Sequence, residues 1–165
     1  MLNSPVPPLR RLGLVILMLL VLASASFPEE KRPVKPQQKD KCPVCGMFVA
    51  KYPDFIAEII FKDGSYAVFD GAKDLFKYYL NFGKYNPRKK QSDISSLFVT
   101  SYYTVTLIDG FKAYYVIGSD VYGPMGRELI PFETLSDAED FLKDHKGKSV
   151  LRFKDINHDI LKGLE

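Results

Sequence analysis

The chain has 165 residues, of which 46% are hydrophobic and 26% charged, and its formal net charge is +3. This size suits one compact domain or two small halves packed together. So small a charge creates no basic surface for nucleic acid, and we expect no nucleic-acid partner. Its two cysteines are only three residues apart, so they cannot connect distant parts of the fold as disulfides, and we attribute them to chemistry.

The first 25 residues have the three parts of a secretory signal peptide. Arg10 and Arg11 supply positive charge, residues 12–22 are apolar, and Ala-Ser-Ala at residues 23–25 fits a cleavage site. We therefore predict export to the periplasm and cleavage that leaves 140 residues with a net charge of +1. An uncleaved membrane anchor is the alternative, although the apolar run is short for a bilayer of roughly 30 Å. Residues 26–41, rich in proline, lysine and glutamine, predict a flexible linker.

The segment CPVCGM at residues 42–47 carries the strongest chemical signal. Cys42 and Cys45 are three residues apart, with proline and glycine beside them, so a tight turn can direct both sulfurs to one point. Met47 adds a thioether two residues later. Thiolates and a thioether form a soft ligand set, which favours Cu(I) over hard ions such as Mg²⁺.

Other uses of a C-x-x-C pair remain alternatives. A c-type haem is excluded, because Gly46 stands where the haem motif requires histidine. A structural zinc site needs four ligands, and neither a second cysteine pair nor a suitably spaced histidine pair is present, so its other ligands would be distant. A thiol–disulfide oxidoreductase is a further alternative, although its motif normally follows a strand and here only the linker precedes Cys42.

The residues after this motif predict a β-hairpin followed by a helix. Residues 55–61 are apolar enough for a strand, Asp63-Gly64 predicts a tight turn, and residues 66–69 form the returning strand. Asp70 is expected to cap a helix over residues 73–80, whose apolar side chains share one face.

The second part of the chain predicts the same order of elements. Residues 97–108 are β-branched and aromatic and predict a long strand, Asp109-Gly110 a turn, and residues 111–117 the returning strand. A helix over residues 136–145 is expected to begin at a serine cap, with a glutamate three residues later completing the capping box.

A weak internal similarity relates the two parts. Residues 66–76 and 129–141 each combine a strand, an acidic corner and an amphipathic helix. We therefore predict an α+β domain over residues 42–165, with halves at about residues 42–85 and 97–165. Each half would be a ββα-type unit, an antiparallel hairpin with an amphipathic helix, and the two pseudo-duplicated units would pack together.

Met47 and Met125 are the only methionines that remain after the predicted cleavage. A methionine usually fills a gap in the core, but both of these are beside glycines, Met125 within GPMG at residues 123–126. Such turns present a side chain at the surface. We predict Met125 as a further metal ligand, which requires the halves to pack with both turns on one side. His145 and His158 are expected at surface or capping positions.

The order of these motifs resembles the NosL family. The resemblance extends from Cys42 to about Phe141 and is carried by CPVCGM at 42–47, DG at 63–64, FD at 69–70, KDLFKYYL at 73–80, GPMG at 123–126 and LIPF at 129–132. Members of this family are nitrous oxide reductase accessory proteins, Cu(I)-binding copper chaperones of the bacterial cell envelope. The resemblance implies two ββα-type units, Cu(I) bound by Cys45 and Met47, and Met125 as a third ligand.

We therefore expect an exported Cu(I) metallochaperone rather than an enzyme, with Cys42, Cys45, Met47 and Met125 as metal ligands. Its partner would be a copper-accepting enzyme, nitrous oxide reductase or another copper enzyme, and so a role in denitrification is implied. Cys42 adds either a ligand or a redox partner for Cys45, and transient association with a membrane stays open. The alternatives are a periplasmic thiol–disulfide oxidoreductase using Cys42 and Cys45, and a structural zinc-binding protein.

Overall fold

The computed structural model of the protein describes residues 32–165. The predicted signal peptide and the first part of the predicted linker lie outside these residues. None of the helices in the described part of the chain is long and apolar enough to cross a membrane. Val34, within the predicted linker, contacts the folded domain, because its N–H donates to Glu58 Oε2 at 2.9 Å.

The first sheet has four antiparallel strands in the order β2-β1-β3-β4: β1 (Ala57–Phe61), β2 (Tyr66–Phe69), β3 (Ile94–Thr100) and β4 (Leu107–Asp109). All five residues of β1 are buried, which suits its Ile-Ile-Phe run and its position between two neighbours. The predicted first hairpin is confirmed, because β1 and β2 pair antiparallel across Asp63-Gly64. Gly64 has a φ of 85°, a conformation that glycine adopts without strain.

The second sheet has three antiparallel strands in the order β8-β5-β9: β5 (Tyr114–Ile117), β8 (Ile130–Phe132) and β9 (Ser149–Arg152). Between β5 and β8 lies a two-stranded hairpin of β6 (Tyr122–Gly123) and β7 (Gly126–Arg127). Met125 lies in the turn of this hairpin. The two larger sheets meet where the Tyr102 N–H donates to the Pro131 carbonyl oxygen at 2.9 Å.

The prediction of one long strand over residues 97–108 is wrong. The chain reverses between Ser101 and Thr106, so that β4 pairs with β3 and not with β5. Val105 lies in this turn with a φ of 53°, a conformation rare for a β-branched residue, so no local signal predicts the reversal. At Asp109-Gly110 the chain leaves the first sheet and enters the second, and the hairpin predicted there does not form.

The described part of the chain also contains four α-helices: α1 (Ala72–Leu80), α2 (Phe82–Tyr85), α3 (Leu135–Asp144) and α4 (His158–Lys162). The buried face of α1 includes Leu75 and Phe76, as its apolar spacing predicts. The predicted cap of α3 is wrong. The helix begins after Thr134, whose hydroxyl accepts from the Asp137 N–H at 3.1 Å, and Ser136 lies inside the helix.

The predicted cap of α1 is also wrong, and its correction matters for the site. Gly71, not Asp70, precedes the helix, and glycine has no side chain that could cap it. Asp70 instead accepts a hydrogen bond from Cys45. The Lys73 N–H in the first turn is bonded by Glu128, a residue from the opposite part of the chain. The carboxylates of Asp70 and Glu128 therefore bond to residues that are distant from them in the sequence.

Two clusters of apolar side chains form the core. The larger one joins the first sheet to α1 and includes Tyr115 and Leu129 from beyond that sheet. The smaller one joins the second sheet to α3. The predicted α+β class with antiparallel sheets is confirmed. The predicted duplication of two ββα units is not confirmed and stays a prediction, since β3 and β4 belong to the first sheet.

Candidate metal centre

Residues 42–47 form the tight turn predicted from CPVCGM. The Gly46 N–H donates to the Cys42 carbonyl oxygen at 2.9 Å, and the Cys42 N–H donates to the Met47 carbonyl oxygen at 2.9 Å. Gly46 has a φ of 81°, which would strain a residue that carries a Cβ. Cys42 is buried, Cys45 is half-buried, and both are free thiols. The turn thus presents two thiols side by side.

Two buried carboxylates face these thiols. Asp70 follows β2 and Asp74 lies in the first turn of α1. Cys45 Sγ donates to Asp70 Oδ1 at 3.2 Å, and Cys42 Sγ donates to Asp74 Oδ2 at 3.3 Å. Both sulfurs and one oxygen of each carboxylate lie within 4.8 Å of one another. Four potential ligand atoms at this separation can converge on one metal ion. We call these four residues the thiol–carboxylate cluster.

Burial controls the protonation of the two thiols. It raises the pKa of Cys45 to about 12 and raises the pKa of Cys42 beyond the usual range of a thiol. Asp70 and Asp74 raise the pKa values further, because a carboxylate that accepts a hydrogen bond from a thiol favours its protonated form, and at Cys42 the charge of Asp74 acts in the same direction. Without a metal ion, both cysteines are therefore neutral thiols at neutral pH. A cation bound by a thiolate would have to displace its proton.

One oxygen of the cluster lacks a partner among residues 32–165. Within this part of the chain, Asp70 Oδ2 is buried and accepts no hydrogen bond, whereas its Oδ1 accepts from Cys45. Leaving a buried polar atom unpaired costs roughly 1–3 kcal/mol, and more for a charged group. A cation is a suitable partner for such an oxygen, and two thiols and a second carboxylate are already beside it. This unpaired oxygen is the feature that best fits a bound metal ion.

A cavity of about 480 Å³ adjoins the cluster. Cys45 and Asp74 line it from the cluster, Met125 from the β6–β7 turn, and His158 from the start of α4. The Met125 side chain is 44% exposed. Lysines also line the walls, at positions 77, 84 and 162. A partner molecule can therefore approach the cluster from the side on which Met125 lies.

Three of the four predicted ligands lie at this cluster or its cavity. Cys42 and Cys45 belong to the cluster, and Met125 lines the same cavity as Cys45. Met47 is half-buried and, within residues 32–165, is not one of the cavity's lining residues. Its carbonyl oxygen instead closes the turn with Cys42. Metal binding by these side chains stays a prediction.

Sequence reasoning did not identify the two carboxylates. It assigned Asp70 to a helix cap and gave Asp74 no chemical role. The available signal was that both lie within four residues of each other at the start of a helix, directly after a strand. His158 is exposed, as predicted, but it also lines the cavity, which its position in the sequence does not indicate.

The fold and the site define an α+β protein whose thiol–carboxylate cluster can hold a metal ion beside an open cavity. Comparison with known proteins identifies the family. The sequence model of NosL matches residues 33–161, and the chain therefore belongs to the NosL family. The resemblance found in the motifs is confirmed.

Individual relatives are similar over most of their length. A protein of Stutzerimonas stutzeri named copper-binding lipoprotein NosL is 28% identical over 169 residues, covering 93% of this chain and 85% of the relative. The crystal structure of the copper chaperone NosL from Shewanella denitrificans shares the fold, with a TM-score of 0.67 and 24% identity over 78% of this chain and 98% of that one. An NMR structure of apo-NosL from Achromobacter cycloclastes matches with a TM-score of 0.45 and 25% identity, covering 64% of this chain and 87% of that one.

Proposed function

We propose that this protein carries Cu(I) in the cell envelope and transfers it to a copper enzyme. The observation that carries the proposal is the convergence of two thiols and two carboxylates within 4.8 Å. The thioether-bearing Met125 lies on the adjoining cavity. The relative named a copper-binding lipoprotein supports copper as the cargo.

The sulfur ligands favour Cu(I) as the form of copper that is bound. Thiolates and thioethers are soft donors, which select Cu(I) among the available ions. We propose Cys42, Cys45, Met47 and Met125 as ligands. Cys45 is central to this set, because its thiol belongs to the cluster and also lines the cavity. The carboxylates hold the thiols in place before the ion arrives and offset part of its positive charge.

The open side of the site is suited to transfer. An acceptor's ligands can approach through the cavity and replace the exposed Met125 thioether first, because a neutral thioether is the weakest donor of the set. The Cys45 thiolate would be exchanged next, and the buried Cys42 last. A closed site with four protein ligands, as in structural zinc centres, would slow this exchange. Only metal–ligand bonds change, so the proposed role is that of a chaperone and not of an enzyme.

We propose nitrous oxide reductase as the recipient, which membership of the NosL family implies, and the periplasm as the compartment. Residues 1–25 would be a cleaved signal peptide, residues 26–41 a linker and residues 42–165 the copper-binding domain. N-terminal sequencing of the protein recovered from the periplasm should begin at Ser26. Full-length protein in the membrane fraction, with Met1 retained, would contradict cleavage.

Anaerobic titration of the reduced, exported protein with Cu(I), against a chromophoric competitor, tests the cargo. We expect about one Cu(I) per chain and a preference for Cu(I) over Zn²⁺ at comparable free metal. The loaded protein should then restore copper to metal-free nitrous oxide reductase, whereas a Cys45→Ser chain treated in the same way should not. Tight Cu(I) binding without transfer to any copper enzyme would remove the chaperone role.

A structural zinc site is the second candidate, and the two carboxylates beside the thiols favour it. Zn²⁺ accepts cysteine and aspartate ligands in a four-coordinate site, and the cluster offers four ligand atoms. The metal content of the protein as isolated distinguishes the two functions. Stoichiometric zinc, together with unfolding on addition of a chelator, would establish the structural role instead.

The thiol–disulfide oxidoreductase alternative agrees less well with the site. A redox-active cysteine needs a lowered pKa, so that its thiolate can attack. Here burial raises the pKa of Cys45 to about 12, and the pKa of Cys42 is raised further. The Cys42 side chain is also buried, which blocks access by a substrate disulfide.

A further inference from the structure

Two buried charged residues fasten the Met125 turn to the start of α1. Lys73 Nζ donates to the Met125 carbonyl oxygen at 2.7 Å. Glu128 Oε1 accepts from the Lys73 N–H at 2.5 Å and from the Leu129 N–H at 2.9 Å. Lys73 and Glu128 are each only 3% exposed, so water competes little with these contacts.

The backbone on both sides of Glu128 leaves space for its carboxylate only because two residues lack a Cβ. A Cβ at Gly71 would lie 2.3 Å from Glu128 Oε2, and a Cβ at Gly123 would lie 3.0 Å from the same oxygen. Gly71 directly precedes α1, and Gly123 begins the turn that contains Met125. The carboxylate therefore lies between the two backbone segments whose separation determines where Met125 stands.

Packing alone does not explain this pair. Lysine and glutamate are almost never fully buried unless they are paired, and apolar residues of similar volume often stabilise a fold as well or better. The contacts of Lys73 and Glu128 are directed at backbone atoms of α1 and of the chain on either side of β7. These contacts therefore fix the backbone on either side of β7 relative to the start of α1.

We propose that Lys73 and Glu128 are positioning residues for Met125. In the first turn of α1, Asp74 accepts a hydrogen bond from Cys42, while its neighbour Lys73 reaches the Met125 carbonyl. A single helical turn thus sets the distance between the cluster and the thioether. Because Met125 is 44% exposed, packing holds its side chain only in part, and we infer that its backbone anchor directs the thioether to the ion. The inference rests on the proposed Cu(I) site and identifies the residues that align its methionine.

Lys73→Leu is the direct test, because it removes the ammonium donor and keeps an apolar stem. We expect about tenfold weaker Cu(I) binding, similar to that of Met125→Leu, since both changes remove the same ligand. In a Met125→Leu background, Lys73→Leu should weaken Cu(I) binding no further, because the two changes act on one interaction. A residue that only stabilises the fold would lower the melting temperature without this non-additivity.

Gly123→Ala provides a second variant that removes no charge. The new methyl group would lie 3.0 Å from Glu128 Oε2 and 3.1 Å from its Cγ, so Glu128 or the turn must shift. We expect Cu(I) binding to weaken while the thiol–carboxylate cluster stays intact. Gly83→Ala is the matched control, because a Cβ there meets nothing within 4 Å, and its Cu(I) affinity should equal that of the unmodified protein. X-ray absorption at the copper edge should show one sulfur ligand fewer in Lys73→Leu and Gly123→Ala.

Cys45→Ser separates this inference from the proposed function. If Cys45→Ser binds Cu(I) as tightly as the unmodified protein, the proposed copper site is wrong. If Cys45→Ser loses binding while Lys73→Leu and Gly123→Ala retain full affinity and sulfur count, the positioning role is wrong. Additive effects of Lys73→Leu and Met125→Leu would also overturn it. If Lys73→Leu does not fold, the affinity and sulfur count of Gly123→Ala decide.

Discussion

The two sulfur-bearing turns of this protein are built in opposite ways. In residues 42–47 the Cys42 thiol is buried and the Cys45 thiol half-buried, and both donate hydrogen bonds to buried carboxylates. The turn at residues 123–126 presents Met125 at the surface. Its backbone is held by Lys73, whose ammonium donates to the Met125 carbonyl oxygen. The difference suggests a division of roles between retention and release. The buried thiols would supply affinity, and the exposed thioether would be the ligand that an acceptor displaces first.

Protonation adds a second contrast between the two turns. A thioether carries no proton and binds or leaves a metal ion without regard to pH. Each buried thiol must lose a proton before it becomes a ligand, and burial makes that proton harder to remove. Cu(I) binding by the thiols of the first turn should therefore release protons, whereas binding by the Met125 thioether itself should release none.

The largest expected effect comes from Cys45→Ser. An alcohol is a poor ligand for Cu(I), and Cys45 is the sulfur shared by the cluster and the cavity. We expect tight Cu(I) binding to be abolished, measured by competition under anaerobic conditions. Cys42→Ser is the matched control for the second thiol. Equal losses would make the thiols equivalent ligands, and full retention of affinity in Cys45→Ser would contradict the central role of Cys45.

The pH dependence of Cu(I) affinity counts the thiols that bind. The raised pKa values of Cys42 and Cys45 leave both protonated near neutral pH, so each ligating thiol releases one proton. The sign follows directly, since raising the pH favours proton release and hence tighter binding. Between about pH 6 and pH 8 the affinity should rise about tenfold per pH unit for one thiol and about a hundredfold for two. A pH-independent affinity would show that neither thiol binds as a thiolate.

Met125→Leu should have a smaller effect that is confined to copper. Leucine keeps the size and apolarity of methionine, so the metal-free protein should lose less than about 1.5 kcal/mol of stability. Copper affinity should fall about tenfold, which corresponds to about 1.4 kcal/mol. Met47→Leu is the matched comparison, because Met47 is the other predicted thioether ligand. A loss of Cu(I) affinity in Met47→Leu without a loss in Met125→Leu would place the ion on the side of the turn at residues 42–47 that faces away from the cavity.

Local signals in the sequence predicted the elements that depend on local chemistry. The tight turn at residues 42–47 and the hairpin across Asp63-Gly64 each need a residue with positive φ. In both turns a glycine, visible in the sequence, adopts that conformation. The helix over residues 73–80 was predicted within one residue of its start, because its apolar face has a clear period. The placing of Met125 in a turn was also read from its flanking glycines and is confirmed.

Tertiary contacts explain what the sequence could not predict. Asp70 lies one residue before the capping position, which Gly71 occupies, and its carboxylate, buried beside Cys45, has a different partner. The reversal before β4 depends on Val105 adopting a conformation that its residue type disfavours, so the chain's packing outweighs local preference. Glu128 reaches Lys73 across 55 positions of sequence, and no local pattern indicates such a contact.

The smallest expected effect on copper belongs to Glu58→Gln, which tests whether pH acts on the fold separately from the site. Glu58 lies buried in β1, is neither a member of the cluster nor a lining residue of its cavity, and its Oε2 accepts from the Val34 N–H. Burial raises its pKa to about 7 from an ordinary value of 4.5. Glutamine retains an oxygen for Val34 but cannot titrate. At every pH the variant should therefore bind Cu(I) with the same affinity as the unmodified protein.

Stability should respond where copper affinity does not. Because the folded state holds the Glu58 proton more tightly than the unfolded state, this group stabilises the fold fully below about pH 4.5, and the contribution is lost as pH rises to about 7. Within that window the unfolding free energy of the unmodified protein should fall, relative to Glu58→Gln, by up to about 1.4 kcal/mol per pH unit. Glu128, whose pKa is also raised to about 7 by burial, is present in both chains and cancels in the difference. Denaturant titrations of the metal-free proteins across this range provide the measurement, and parallel stability curves would show that Glu58 titrates alike in the folded and unfolded states.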